Sequence, residues 1–315
     1  MSTDTAERSR LDLTSVLLLV GGMACYGSAT PVSAIVGEGF PAWLGSAMRM
    51  ATAAVVLVPL WAWRRAHDDG PSARRTLTET TWSDRWLLVG IAAIGTFGFS
   101  ILMLVGMRDA PGAVAAVVMA TTPAVTAIGA VLFLGDRLDR YRVAAVLLAV
   151  VGVVLVNLGG GTGEGGGDRV LLGAALVFGA VLCEASYTLM GKRLTADLSP
   201  LTIVSVAATL ALLLFLPLAV WDLVGFDWSR PTAGQWWAVL WWGLGTMALG
   251  SWLWFRGMSR VPAGTAAPFM GVMPVSALVL SYVLLGEAFE WVHVAGMAIV
   301  LAGLALVVRS GASLH

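Results

Sequence analysis

Two stretches of the chain decide its fold, AAVVMATTPAVTAIGAVLFLGD at 115–136 and AAPFMGVMPVSALVLSYVLLGE at 266–287. Each is an apolar segment with a proline near its middle and a Gly-acid pair at its end. The same offset of 151 residues pairs Gly106, Pro111 and Gly152 with Gly257, Pro262 and Gly303. Because Gly and Pro rarely coincide by chance at one fixed offset, the sequence predicts an internal repeat.

The composition places most of the chain in lipid. Of 315 residues, 58% are hydrophobic and 12% are charged, and the mean hydropathy is +0.85. A soluble domain is about one quarter charged, so a soluble protein is excluded. The 19 basic and 19 acidic side chains balance, which argues against a nucleic-acid partner. Two cysteines and three scattered histidines have no metal-ligand spacing, so we expect no disulfide framework and no metal.

Ten apolar runs are long enough to cross a bilayer as helices, since about 20 residues span its hydrocarbon core. The runs are continuously apolar rather than alternating, which favours helices over barrel strands. We therefore predict an all-α integral membrane protein with ten transmembrane helices. The predicted spans are 14–36, 41–63, 86–107, 113–134, 141–158, 170–190, 200–221, 235–255, 264–285 and 291–308.

The repeat and the spans together predict the domain organisation. A second offset of 158 residues pairs Cys25, Ser28 and Thr30 with Cys183, Ser186 and Thr188. Each repeat holds five spans, an odd number, so the second copy enters the membrane from the opposite side, and the two repeats form an inverted-topology pair. The predicted units are an N-terminal tail at 1–13, repeats at 14–158 and 170–309, a Gly-rich linker at 159–169, and a C-terminal tail at 310–315.

Charge predicts the orientation. With the amino terminus in the cytoplasm, 15 of the 19 Lys and Arg face that side, three face outside, and Arg49 lies within a span. This positive-inside bias predicts that both termini are cytoplasmic. The spacing Gly161-x-Gly163-x-x-Gly166 imitates a dinucleotide motif, but it lies between two apolar spans rather than within a βαβ unit. We interpret it as a flexible linker and expect no cofactor.

These residues resemble the EamA-type family of the drug/metabolite transporter superfamily over nearly the whole chain. The resemblance rests on the Tyr26-Gly27-Ser28 stretch, on Arg49, and on the two proline-containing copies that end in Gly135-Asp136 and Gly286-Glu287. It implies a secondary active transporter in a bacterial inner membrane that exports a small metabolite, an amino acid or a drug-like solute by alternating access. Glu184 stands where the family usually has an aromatic residue, so coupling and substrate are not carried over.

An ionisable side chain inside the bilayer is costly, which makes Arg49 and Glu184 the first candidates. Arg49 could bind a substrate carboxylate, or it could donate to backbone carbonyls freed near Pro123 or Pro274. Glu184 could load and release a coupling proton or bind a substrate amine. It could equally snorkel to the interface or pair with Lys192 or Arg193.

Pro123 and Pro274 lie at equivalent places in their spans, which is typical of a midplane site at a repeat interface, although ordinary kinks would give the same pattern. Polar side chains near them could line a cavity or bond their own helix. Trp242 could form an aromatic wall or pack in the core. The remaining candidates for the site are Tyr26, Ser28, Tyr187 and Thr122.

The partners expected are a small-molecule substrate, the lipid bilayer and H⁺ as coupling ion; a homodimer stays open. No P-loop or catalytic motif is present, so we expect a gradient or an exchanged solute to drive transport and expect no enzyme activity. A passive channel or a membrane scaffold is the alternative, and an intramembrane enzyme is less favoured because no catalytic set accompanies Glu184.

Overall fold

A computed structural model describes residues 13–67, 80–119, 121–134, 167–260 and 266–286, together with Trp291, Val294, Ala295, Ala298, Ile299 and Ala302. Within these residues the chain is helical and contains no strand. The prediction of an all-α protein is confirmed for this part of the chain.

Five helices are long and apolar enough to cross a membrane. They coincide with the predicted spans 1, 2, 3, 6 and 7, so these spans are confirmed as helices of membrane-crossing length. They run over Leu13–Gly39, Ala42–His67, Trp82–Gly106, Gly167–Leu194 and Pro200–Leu223. The first of them consists of α1 (Leu13–Gly27) and α2 (Ala29–Gly39), which meet at Ser28.

The predicted fourth span is described as α6 (Gly112–Met119) and α7 (Thr122–Leu134). The eighth is continuously helical over 233–258, and the ninth consists of a 3₁₀ turn (Ala267–Gly271) and α12 (Val272–Leu285). The fifth span, 141–158, and all but six residues of the tenth lie outside the described residues. The count of ten spans therefore stays a prediction.

Caps set where several helices begin. Thr81 and Asp84 form a reciprocal capping box before α4 (Trp82–Gly90), and Thr232 and Gln235 form another before α10 (Ala233–Trp241). These helices thus begin before Trp86 and Gln235, where the apolar runs had placed their starts, because capping is supplied by polar residues that a hydropathy count excludes. In the same way α8 (Gly167–Leu194) begins inside the predicted linker at 159–169.

Two long helices contain a π-helical segment near their middle. The segments are π1 (Ile91–Gly98), between α4 and α5 (Phe99–Gly106), and π2 (Trp242–Gly250), between α10 and α11 (Ser251–Met258). Their first residues are 151 residues apart, the offset found in the sequence. π-helical turns are rare and often mark functional sites, because they rotate the following side chains relative to a regular helix.

The two halves of the chain interlock. α1 packs against α11 and α12 of the second half, whereas α8 packs against α5, π1 and α7 of the first half. α3 (Ala42–His67) packs most extensively against α9 (Pro200–Leu223). Each half thus contributes its first helix to the core of the other.

Glycine permits both crossings of α1, with α11 and with α12, to be close. A Cβ added at Gly27 would collide with the carbonyl oxygen of Met273, and one added at Gly22 would lie 2.8 Å from the backbone nitrogen of Trp254. Membrane helices that lack a side chain at a crossing approach each other closely and gain van der Waals contact. The close approach brings α1 to the helices that carry the second half of the site.

The burial pattern is that of a protein in lipid. Large apolar side chains face outward, among them Val55, Phe133 and Trp221, whose exposed fractions are 72%, 78% and 81%. Arg49 and Glu184 are instead buried, with 3% and 8% exposed. In a bilayer the outward apolar side chains meet hydrocarbon, so the polar chemistry of the molecule is concentrated between the helices.

Candidate functional site

A cleft of about 430 Å³ lies between the two halves of the chain. Its lining comes from helices of both halves and consists of six polar and six apolar residues, although most of its surface is apolar. The polar lining consists of Tyr26, Arg49, Thr96, Glu184, Tyr187 and Ser251. The apolar lining consists of Ala29, Gly95, Phe99, Met119, Met247 and Met273.

Arg49 on α3 is the cation of the cleft. Its Nη1 donates to the Ser100 hydroxyl at 2.9 Å, and its Nη2 donates to the Thr246 hydroxyl at 3.3 Å. The guanidinium carbon lies 4.5 Å from the ring centre of Trp242 and 5.7 Å from that of Phe99. Hydroxyls from both halves and two aromatic faces therefore hold the guanidinium in one place.

Among the described residues these contacts leave the guanidinium of Arg49 without a directly bonded carboxylate, although Glu184 lies near enough across the cleft to interact with its charge. Its Nε has no hydrogen-bond partner, and it forms no ion pair with any carboxylate that the structure describes. The partners found for the guanidinium among the described residues are hydroxyls, not the carbonyls near Pro123 or Pro274 that we also considered. Neutral hydroxyls orient a cation without neutralising it, so the guanidinium can still bind an anion.

Glu184 on α8 is the acid of the cleft. Its Oε2 is buried and has no hydrogen-bond partner in the described part of the chain. It forms no ion pair with Lys192 or Arg193, which are both described, so the pairing that we considered for Glu184 is not found; Lys192 Nζ donates to the carbonyl of Met258 at 3.2 Å. Glu184 is therefore buried inside the protein and is not paired with either of these cations.

Two tyrosines complete the polar side of the cleft. Tyr187 is three residues from Glu184 on the same face of α8, and its buried hydroxyl lies beside those of Tyr26 and Ser251 without the geometry of a hydrogen bond to a described residue. The Tyr26 hydroxyl donates to Ser251 at 2.9 Å and so joins α1 to α11. The cleft thus presents unpaired polar atoms from Arg49, Glu184 and Tyr187, a combination suited to a small polar ligand.

Five predicted site residues lie outside the lining: Ser28, Thr122, Trp242, Pro123 and Pro274. Ser28 donates to the Cys25 carbonyl at 2.6 Å and accepts from Trp241 Nε1 at 2.9 Å. Thr122 donates to the Met119 carbonyl at 2.7 Å. Both hydroxyls bond the preceding turn of their own chain, as short polar side chains in apolar helices commonly do. Trp242 is fully buried and supports Arg49 rather than forming a wall.

The two prolines begin helices rather than interrupting them. Pro123 is the second residue of α7 and Pro274 is the third of α12, and in each case the helix follows a break or a 3₁₀ turn. A proline in the first turn of a helix costs little, because the N–H it lacks would have had no partner there. In the described residues both prolines thus lie beside an interruption of the regular helix, and the choice between a midplane site and an ordinary kink stays open.

Eight lining residues were not among the predicted site residues: Ala29, Gly95, Thr96, Phe99, Met119, Met247, Ser251 and Met273. One signal was available. Tyr26 and Glu184 are 158 residues apart, as are Ala29 and Tyr187, and Thr96 and Met247 are 151 apart. Applying both offsets to the candidate residues would have indicated that equivalent positions of the two halves face one cleft.

Within the described residues, no group of His, Cys, Asp and Glu could hold a metal ion. The cleft instead offers one guanidinium, one carboxyl, phenols and hydroxyls. Chemically these groups can bind an anionic and a cationic part of one small molecule.

Comparison with known proteins gives matches over almost the whole chain. The model of the EamA-like transporter family matches twice, at residues 13–158 and 171–309. The uncharacterized transporter YetK of Bacillus subtilis is 34% identical over 91% of this chain and 84% of its own length. The probable terminal-alkyne amino-acid exporter of Streptantibioticus cattleyicolor is 25% identical over 69% of this chain and 71% of its own.

Two further matches are more distant or shorter. The threonine/homoserine exporter RhtA of Salmonella typhimurium is 29% identical over 42% of this chain and 43% of its own. One protein of known crystal structure superposes with a TM-score of 0.65 at 19% identity, over 93% of this chain and 95% of that one. At this identity the superposition shows a shared fold.

Proposed function

Because the chain belongs to the EamA-like transporter family, a family of multi-pass membrane proteins, we propose that it is a secondary active transporter that exports a small metabolite, amino acid or drug-like solute. The observation that carries the proposal is the cleft. In the part of the cleft that the structure describes, a single cation and a single acid come from different halves of the chain, and each has a buried polar atom without a described partner.

The chemistry of the cleft favours a substrate with no net charge and two polar ends. Arg49 suits a carboxylate, because a guanidinium donates two parallel hydrogen bonds to one. Glu184, Tyr187 and Ser251 suit an amine or hydroxyl on the other end. A substrate with several negative charges would need more cations than the described lining provides. An amino acid fits this arrangement, and the two exporters named above are consistent with it.

Two inverted repeats are the architecture that we propose for alternating access. The family model matches each half separately, which supports a repeat. The exchange of α1 and α8 between halves and the equivalent positions of π1 and π2 support it further. A cleft at the repeat interface is exposed to either side in turn when one half rocks against the other.

The orientation and location that we propose rest on charge. The excess of Lys and Arg in loops on one side supports cytoplasmic termini at 1–13 and 310–315 in a bacterial inner membrane. Export would then carry the solute away from that side.

A proton gradient is the energy source that we propose, with Glu184 as the coupling group. In the described lining it is the one carboxyl. A buried carboxyl without a fixed counter-cation exchanges a proton readily when the cleft opens to a new side. Binding a proton and releasing substrate at the same group would link the two movements.

The experiment that tests the proposal is an extracellular metabolite profile of expressing cells. Wild type is compared with empty vector and with Arg49→Ala and Glu184→Gln at matched membrane abundance. We expect one solute class to accumulate outside the cells with wild type and to fall with both variants. Profiles that coincide with the vector for every strain would contradict export. Accumulation that both variants retain would instead favour a passive channel or a site elsewhere.

A further inference from the structure

We propose that Met119, Met247 and Met273 form a deformable wall of the cleft, which lets it accept a series of substrates that share a polar head and differ in their apolar part. We call these three side chains the thioether wall. The inference rests on the proposed function and adds to it the residues that set substrate range.

The three side chains converge on one cleft from three separate elements. Met119 is on α6, Met247 is on π2 and Met273 is on α12, and all three line the cleft. Their exposed fractions are 3%, 3% and 1%, so they meet the cleft and the surrounding helices but not the outer surface. Apart from Phe99, the other apolar lining residues are Ala and Gly, so thioethers supply most of the apolar side-chain atoms.

Each methionine also stands where the regular helix is interrupted. Met119 is the last residue of α6, Met247 lies within a π-helical segment, and Met273 is the second residue after a 3₁₀ turn. The flexibility of the side chain and the irregularity of the backbone therefore occur together.

The wall is connected to the polar side of the cleft. The Ser251 hydroxyl lies 4.0 Å from the Met247 sulfur and accepts the hydrogen bond of Tyr26. One substrate could therefore contact the wall with its apolar part while its head lies near Arg49 and Glu184. The position of the head is fixed by charge, and the apolar part meets the adjustable surface.

Thioethers predict a particular kind of selectivity. Methionine has three rotatable bonds and a polarisable sulfur, so it repacks around groups of different shape, and flexible Met-rich surfaces are typical of binding sites that accept many ligands. Each methylene that the wall accommodates should increase affinity by roughly fourfold, the full transfer value of a buried methylene. A stiffer wall of the same volume would accept the first methylenes and reject the later ones.

The test is the affinity of the purified full-length protein for straight-chain 2-amino acids from alanine to 2-aminooctanoate, measured by titration calorimetry. The first variant combines Met119→Leu, Met247→Leu and Met273→Leu, which conserves volume. The matched control combines Met23→Leu, Met50→Leu and Met103→Leu, three equally buried methionines that do not line the cleft.

We expect wild type and control to gain roughly fourfold per methylene over several members of the series. The cleft variant should bind alanine within about twofold of wild type and lose at least about tenfold for the longest member. If the cleft variant gains as much affinity per methylene as wild type does, or loses affinity equally for every member, the proposed role of the thioether wall is wrong. If the triple variant does not fold, the three single substitutions are measured in the same way.

If the wild-type protein binds no member of the series, the proposal of an amino-acid substrate is wrong. The inference about the thioether wall is then wrong as well, because it rests on that proposal. This outcome differs from failure of the wall alone, in which wild type binds the whole series and the cleft variant behaves as the control does.

Discussion

The two halves of the molecule place different chemistry at equivalent positions. At an offset of 158, Tyr26 of the first half corresponds to Glu184 of the second, and Arg49 corresponds to Ala207. Tyr26, Glu184 and Arg49 line the cleft, whereas Ala207 is fully buried in the apolar core. The cation and the acid thus come from opposite halves, and neither has a counterpart of its own kind.

One serine, by contrast, is the same in both halves and bonds a cleft side chain in each. Ser100 and Ser251 are 151 residues apart, and each accepts a hydrogen bond from a cleft side chain, Arg49 in one case and Tyr26 in the other. Ser100 is the second residue after π1, and Ser251 is the first after π2. The comparison indicates that the halves share a scaffold while their charged groups differ. The positive and the negative group of the cleft therefore come from different halves.

The largest effect on transport should come from removing Arg49, because the equivalent residue of the second half is not a cation. We expect Arg49→Ala to reduce transport at least about 100-fold, because two charged hydrogen bonds to a substrate anion contribute roughly 1.5–3 kcal/mol each. The measurement is the initial rate of transport in proteoliposomes. Arg256→Ala, an exposed arginine on α11, is the control and should transport as wild type. Equal transport rates for Arg49→Ala and the control would show that Arg49 does not bind the substrate.

The second largest effect on transport should come from substituting Glu184, because the equivalent residue of the first half is not an acid. Glu184→Gln keeps the shape of the side chain and removes its exchangeable proton, so transport should fall about tenfold or more and should no longer respond to an imposed proton gradient. Rates are compared with and without the gradient. Glu38→Gln, the same change at an exposed position of α2, should retain the response. A Glu184→Gln protein that still responds to the gradient would show that another group carries the proton.

Substituting Ser100 and Ser251, the equivalent serines, compares the two halves at a single position. Ser100→Ala removes a bond from a charged donor, and Ser251→Ala removes one from a neutral phenol. Bonds to charged groups contribute about 1.5–3 kcal/mol and neutral ones about 0.5–1.5 kcal/mol, so substrate affinity should fall roughly tenfold in the first variant and threefold in the second. Affinity is measured by titration of each purified variant. The reverse order would indicate that Tyr26, not Arg49, dominates binding.

The smallest effect concerns a contact that joins the halves away from the cleft. Asp222 at the end of α9 accepts from the backbone nitrogens of Trp43 and Leu44, both at 3.0 Å, and so caps the start of α3, which carries Arg49. Asp222→Ala should lower the free energy of unfolding by about 1 kcal/mol, the usual value of a lost cap. Thermal unfolding in detergent measures it. Asp227→Ala, which removes an exposed carboxylate bonded to Ser229, should leave the midpoint unchanged.

The sequence was sufficient for the helices that are described and for the most polar part of the cleft. Apolar runs identify membrane helices because lipid excludes unpaired backbone groups. Arg49, Glu184, Tyr26 and Tyr187 could be found because an ionisable or phenolic side chain inside an apolar span needs a reason to be there. The structure brings these four together in one cleft.

Which other side chains line the cleft depends on how each helix is rotated about its axis. This rotation cannot be read from the local sequence of one helix. Ser28 and Thr122 have the composition of lining residues, but their hydroxyls bond their own chain. Met119, Met247 and Met273 look like ordinary core residues until the helices are packed. The π-helical segments have no local sequence signature either, because tertiary packing rather than propensity selects them.

Solute counterflow tests the central claim most directly, that the cleft is a single site exposed to each side in turn. Purified protein is placed in liposomes loaded with the unlabelled solute identified from the metabolite profile, and labelled solute is added outside without a proton gradient. The account predicts a transient accumulation of label above its equilibrium level with wild type and none with Arg49→Ala. A monotonic approach to equilibrium with wild type, as a channel gives, or full accumulation with Arg49→Ala would contradict it.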